Sequence, residues 1–190
     1  MSVNAAHYGR VSRLLHWGMA ALFAFQFLTA IVRFALPDTA LEAAVWGAHK
    51  PLGALLMLLV AVRLGWALVE RARRPAAINL AACVGHLALY LLMVAVPLVA
   101  LLRQYGSGRA FAPFGIPLMP GFEGEIEWMA AVGGIFHGLL GWALLALIVG
   151  HVAMALLHRR MADEDVLVRM LPRRGTPSDT EGRREAGSAR

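Results

Sequence analysis

The chain holds a single cysteine, Cys83, among 190 residues. That excludes an internal disulfide, an iron–sulfur cluster held by this chain's own thiolates, and the paired-cysteine attachment of a c-type haem. Charge is scarce as well, at 16 % of residues where about 25 % is usual. Hydrophobic residues reach 59 %, against roughly 45–50 % in soluble domains, and the mean hydropathy is +0.62. Such a composition excludes a disordered chain and argues against a soluble globule. Strand-like alternation is missing too, which argues against a transmembrane barrel.

What is present is apolar sequence in four long runs, roughly Leu14–Phe34, Val45–Val69, Leu80–Leu102 and Met129–Leu157. About 20 residues of helix cross a hydrocarbon core, and a helix satisfies its own backbone there. The sequence therefore predicts an all-α, up-down bundle of four transmembrane helices over residues 1–160. A tail, 161–190, follows, its last part expected to be disordered because it mixes charges and lacks aromatics. The first run is too long for a cleavable signal peptide and lacks a small-residue cleavage site.

The few charges set the orientation. The side holding both termini and the second connection carries 14 basic and 7 acidic residues, net +7, and the other side 4 and 5, net −1. Arg10, Arg13, Arg71, Arg73, Arg74, Arg159 and Arg160 flank the spans on the first side, so the positive-inside rule makes both termini cytoplasmic. The overall +6 is then topology information and implies no nucleic-acid partner. The longest connection, between the third and fourth spans, carries Pro113, Pro117 and Pro120 around Phe111, Phe114 and Phe122, and reads as an ordered outer loop.

Seven histidines are an anomaly in so apolar a chain. Ionisable side chains in a bilayer are costly and face the bundle interior. His137 and His151 share the fourth span, 14 residues apart. That spacing is about 21 Å and nearly four whole turns, so both face one seam at two depths. His49 matches the depth of His137 near the outer side. His16 and His86 both match the depth of His151 near the inner side. Two stacked sites result, each able to pair a histidine of the fourth span with one from another helix. Imidazole pairs across a bundle suit haem iron, filling both axial positions and leaving only electron relay. Gly53 and Gly141 stand four residues after His49 and His137, where a flat macrocycle needs a missing side chain; the plainer reading is close helix approach. A metal transporter is the rival use of such histidines, but it would normally add midplane carboxylates, and the span centres have no Asp or Glu.

The ordered tokens YGRVSRLLHW, HKPLG, RLGW, HLALYLLMVAVP, FGIPL, HGLLGWALLALIVGHVAMALLHRRM and VLVRMLP run from Tyr8 to about Pro172. In this set the chain resembles the prokaryotic cytochrome b561 family of short four-helix dihaem membrane proteins. The resemblance implies two haem b groups, with His49 and His137 as outer ligands and His16 and His151 as inner ones; the residues alone leave His86 open as the inner partner. It implies a bacterial inner-membrane oxidoreductase that takes electrons from superoxide outside and gives them to ubiquinone near the inner face. The alternative is a haem-bearing anchor relaying electrons between the quinone pool and a partner dehydrogenase or reductase.

The remaining polar residues fit that chemistry. Lys50, Arg33 and Arg103 are candidates to attract a small anion outside, although the outer loops are net acidic. His86 and His158 are candidates to bond a quinone carbonyl and pass protons, with Arg13, Arg71 or Arg74 nearby. Arg63, about two turns inside the second span, is a candidate to hold a haem propionate.

Overall fold

The computed structural model describes residues 8–71, 80–161 and 170. Most of the 161–190 tail, with Arg73 and Arg74, lies outside the described residues. Five helices follow in order: α1 (Arg10–Ala35), α2 (Ala40–Trp46), α3 (His49–Val69), α4 (Leu80–Gly106) and α5 (Glu127–Met161). Four segments are long and apolar enough to cross a membrane: α1, the stretch Ala40–Val69, α4 and α5. No strand occurs among the described residues; the sole β pairing there is an isolated bridge between Phe111 and Met119.

The second apolar run differs from its expected continuity. It breaks after Trp46, so that α2 is a separate short helix and His49 is the first residue of α3. The cause is Pro51, which has no N–H to give the Gly47 carbonyl, so the helical ladder cannot pass through that turn. Thr39 caps the start of α2, its Oγ1 accepting from the Glu42 amide at 3.2 Å. α5 carries Glu127 in its first turn and His158, Arg159 and Arg160 in its last, charges that oppose the helix dipole at each end.

The helices alternate in direction. One end of the bundle, the loop end, carries α2 and residues 107–126; the other, the terminal end, carries the start of α1, the end of α3, the start of α4 and the end of α5. α1 packs on α3, and α4 on α5. At the terminal end Ser12 joins the first pair: its Oγ donates to Glu70 Oε2 at 2.8 Å and accepts from Trp66 Nε1 at 3.0 Å. Trp17 Nε1 reaches the Met170 carbonyl at 3.0 Å, bringing one point of the tail against α1.

At the loop end α4 and α5 approach to backbone contact. A Cβ on Gly133 would stand 2.6 Å from the Arg103 nitrogen and the Val99 oxygen, and one on Gly106 2.8 Å from the Ala130 nitrogen. In hydrocarbon, where apolar burial gives helices no reason to associate, small residues permit this packing. The connection above is ordered, as expected: Phe111 N–H donates to Met119 O at 2.9 Å, and Ile126 N–H to Gly106 O at 2.8 Å.

Because Gly133 faces backbone that cannot move aside, Gly133→Val is expected to lower stability by about 1–3 kcal/mol. Thermal unfolding in detergent measures it. Gly65→Ala, at a position with nothing within 4 Å, is the control and should leave the transition unchanged.

Candidate cofactor site

Six histidines lie in the described helices: His16 on α1, His49 on α3, His86 on α4, and His137, His151 and His158 on α5. Among the described residues no three His, Cys, Asp or Glu side chains gather around a bare metal ion. The histidines meet as rings instead. His49 and His137 have centres 6.2 Å apart with planes at 90°. His16 and His151 have centres 6.4 Å apart at 66°. His86 also approaches His151, at 5.4 Å and 76°.

These separations can be set against coordination chemistry. An imidazole nitrogen binds a transition metal at about 2.0 Å, and the ring centre lies about 1.1 Å behind it. Two rings on opposite sides of one ion therefore have centres about 6.2 Å apart. His49/His137 and His16/His151 both match that span; His86/His151 is shorter by nearly 1 Å.

Hydrogen bonds at the loop-end pair fix which nitrogens are free. Thr29 Oγ1 donates its only proton to Gln26 O at 2.7 Å, so at its 2.7 Å contact with His49 Nδ1 it must accept. His137 Nδ1 faces the Val96 carbonyl at 3.1 Å, which can only accept. In a neutral ring the proton is then on Nδ1 and the Nε2 lone pair is left for a metal, the arrangement that orients histidine ligands in metal sites. Thr29 is fully buried, and Gln26 beside it donates Nε2 to the His49 carbonyl at 2.9 Å.

Glycines stand close in sequence to the paired histidines, and several of them are open. A Cβ at Gly18, Gly138, Gly141 or Gly150 would meet no atom within 4 Å. At Gly53 a Cβ would lie 3.2 Å from Gln26 Nε2, so the space there is shared with that amide. The ring spacing, with Nδ1 engaged on both loop-end rings, fits haem b.

Arg63 fits as well. Its side chain is buried, its Nη1 reaches the Ser12 carbonyl at only 3.4 Å, and among the described residues no carboxylate pairs with it. It lies close enough to His16 for its charge to be felt there. A buried guanidinium without an anion is costly, and a haem carboxylate is the partner its geometry suits.

The candidate charged residues at the loop end are arranged differently from one another. Arg33 is engaged: Nη1 pairs with Glu42 Oε1 at 2.6 Å, and the guanidinium stands 5.4 Å from the centre of the Trp46 ring. Lys50 Nζ donates to Gln104 Oε1 at 2.9 Å, and the charges of Arg103 and Arg109 act on it. At the terminal end His86 and His158 each bond through Nδ1 to the carbonyl one turn back, Ala82 O at 2.6 Å and Met154 O at 2.8 Å, leaving Nε2 free.

Sequence reasoning missed Gln26, Thr29, Trp46 and Gln104. Gln26 and Thr29 carried a signal, being polar residues in the apolar heart of the first span. Trp46 and Gln104 carried none, because their roles depend on the break before α3 and on the path of the long connection.

Four segments long and apolar enough to cross a membrane, with histidine rings meeting at two depths, suit a membrane cytochrome of the b type. A family model described as prokaryotic cytochrome b561 matches residues 7–173. "Cytochrome b561 homolog 2" of Escherichia coli (strain K12) is 31 % identical over 171 residues, covering 86 % of this chain and 90 % of that protein. "Probable superoxide oxidase CybB" of Yersinia pestis is 32 % identical over 91 residues, 48 % of this chain and 51 % of that protein. The chain belongs to the prokaryotic cytochrome b561 family: it is a multi-pass bacterial membrane protein of electron transfer, and membership implies haem b.

Replacing His16, His49, His137 or His151 with alanine is expected to cost one haem each, whereas His86→Ala and His158→Ala keep the full complement. Haem per chain, from the pyridine haemochrome spectrum, measures this. Full haem in His151→Ala with loss in His86→Ala would reverse the inner assignment.

Proposed function

We propose that this chain holds two haem b groups, His49/His137 at the loop end and His16/His151 at the terminal end, and moves electrons from superoxide to ubiquinone across the bacterial inner membrane. The observation that carries the reading is the pair of ring separations, 6.2 and 6.4 Å, at two depths. The depths differ by about 21 Å along α5, which puts one pair near each face of a hydrocarbon core of about 30 Å. The four histidines would hold the two groups, which would supply one-electron relay.

The chain's own residues would do the rest. By the positive-inside rule the terminal end, rich in arginine, is cytoplasmic and the loop end periplasmic. Lys50, with Arg103 and Arg109 near it, would draw a small anion toward the loop-end pair; with Glu42 pairing Arg33, that charge contributes less. His86 and His158 present Nε2 at the terminal end, where each, once protonated there from the cytoplasm, would donate to a quinone carbonyl and pass that proton on. Gly141 leaves space beside the loop-end pair, and Arg63 would hold a haem carboxylate beside His16. The net reaction balances as two superoxide ions and one quinone, with two protons from the cytoplasm, giving two dioxygen molecules and one quinol. The CybB relative, by its printed name, supports the choice of superoxide.

A second reading, a haem-bearing anchor for a partner dehydrogenase or reductase, is favoured by the exposed carboxylates Glu123, Glu125 and Glu127 on the loop end, a surface that suits a basic partner. Purified protein separates the two. Alone, it is expected to form quinol when superoxide is generated enzymatically in the presence of a short-chain ubiquinone, and His86→Ala or His158→Ala to slow quinol formation at least tenfold while keeping both haems. Inactivity of the haem-replete protein, relieved by a co-purifying subunit, would decide for the anchor.

A further inference from the structure

α2 carries one side chain against a histidine of the loop-end pair. The Trp46 indole lies nearly parallel to the His49 imidazole, 26° between planes and 4.6 Å between centres. The indole is held in turn: Arg33 stands 5.4 Å from its ring centre, and Arg33 is gripped by buried Glu42 at 2.6 Å. Glu42 sits in the first turn of α2, its amide capped by Thr39. His49 is thus constrained at an edge, by Thr29 on Nδ1, and on a face, by Trp46. The other pair lacks this clamp, because Trp17 meets His16 edge-on, at 80° and 5.4 Å.

We propose that Trp46 is a positioning residue that, together with Thr29, locks the imidazole plane of His49 at right angles to that of His137. This rests on the reading of His49 and His137 as an axial pair. The orientation has an electronic consequence. Parallel imidazole planes raise the same iron d orbital and split it from its neighbour; perpendicular planes raise one each and leave the two nearly degenerate. Near-degeneracy in the ferric low-spin state pushes the lowest-field electron paramagnetic resonance feature to unusually low field, and rotating either ring moves it back. A tryptophan that merely fills space at the membrane interface would leave the feature where it is.

The test is low-temperature electron paramagnetic resonance of the oxidised holoprotein, with His151→Ala used to assign the loop-end signal. The loop-end feature of the unmodified protein is expected at lower field than that of the 66° pair. Trp46→Leu, which removes the flat face, should move the loop-end feature to higher field or broaden it, with the other signal unchanged. Trp46→Phe, which restores a face, should return it most of the way. An unshifted loop-end signal in Trp46→Leu overturns the proposal. Should Trp46→Leu lose haem altogether, Glu42→Gln, which keeps the indole but loosens the Arg33 grip that holds it against His49, must move the same feature in the same direction; no movement there also overturns it. Absence of two low-spin signals in the unmodified protein would instead sink the axial-pair reading itself.

Discussion

Two imidazole nitrogens that share one metal must face each other across about 4 Å, and on the proposed reading this spacing accounts for where the histidine-bearing helices stand. Helix axes pack about 8–10 Å apart, so the rings must come from different helices and point inward along one seam. α5 contributes a ring to both pairs because its histidines are nearly four turns apart. α3 completes one pair and α1 the other. The two helix pairs, α1 with α3 and α4 with α5, are each held by their own contacts. The first uses Ser12, Trp66 and Glu70, and the second the backbone approach at Gly106 and Gly133. Histidine rings then reach across from α5 to α1 and α3. Helix packing and ring spacing are in this way set by different residues.

Polar groups in hydrocarbon are expensive, and the described ones nearly all have work that involves the histidines. Thr29 uses its proton on Gln26 O and its lone pair on His49. Gln26 reaches the His49 carbonyl with its amide nitrogen. Gln104, buried at the loop end, accepts from Lys50 and donates to Arg109 O at 2.9 Å, so the long connection is tied to the residue next to His49. A chain of contacts therefore runs from the surface loop through Gln104 and Lys50 to His49, while α2 reaches the same histidine through Trp46. His49 is the most constrained histidine of the described set, and it sits where the structure departs furthest from a plain helical run.

The four spans were legible because lipid leaves the sequence few choices: long apolar runs must be helices, and arginines crowd one side. The limits were close, with α1 beginning four residues before Leu14 and α4 extending to Gly106. The depths of the histidines followed from helical rise alone. What depth could not separate was His16 from His86 as partner of His151, since that requires lateral position; both rings approach His151, at 6.4 and 5.4 Å. Arg33 shows another limit. Sequence gives its side of the membrane but not its partner, and Glu42, nine residues on, becomes a neighbour only because the chain turns back at residues 36–39. The break before α3 was hidden because Ala40–Val69 is apolar enough overall to read as one span and Pro51 is tolerated in a first turn.

The account stands on one physical claim, that each histidine pair holds its own haem. The haem-to-protein ratio of the purified chain tests it most directly, from the pyridine haemochrome spectrum and quantitative amino-acid analysis of the same sample. The account predicts two haem b per chain, both low-spin and both reducible. A ratio of one, or haem that is high-spin with an open axial position, would contradict it.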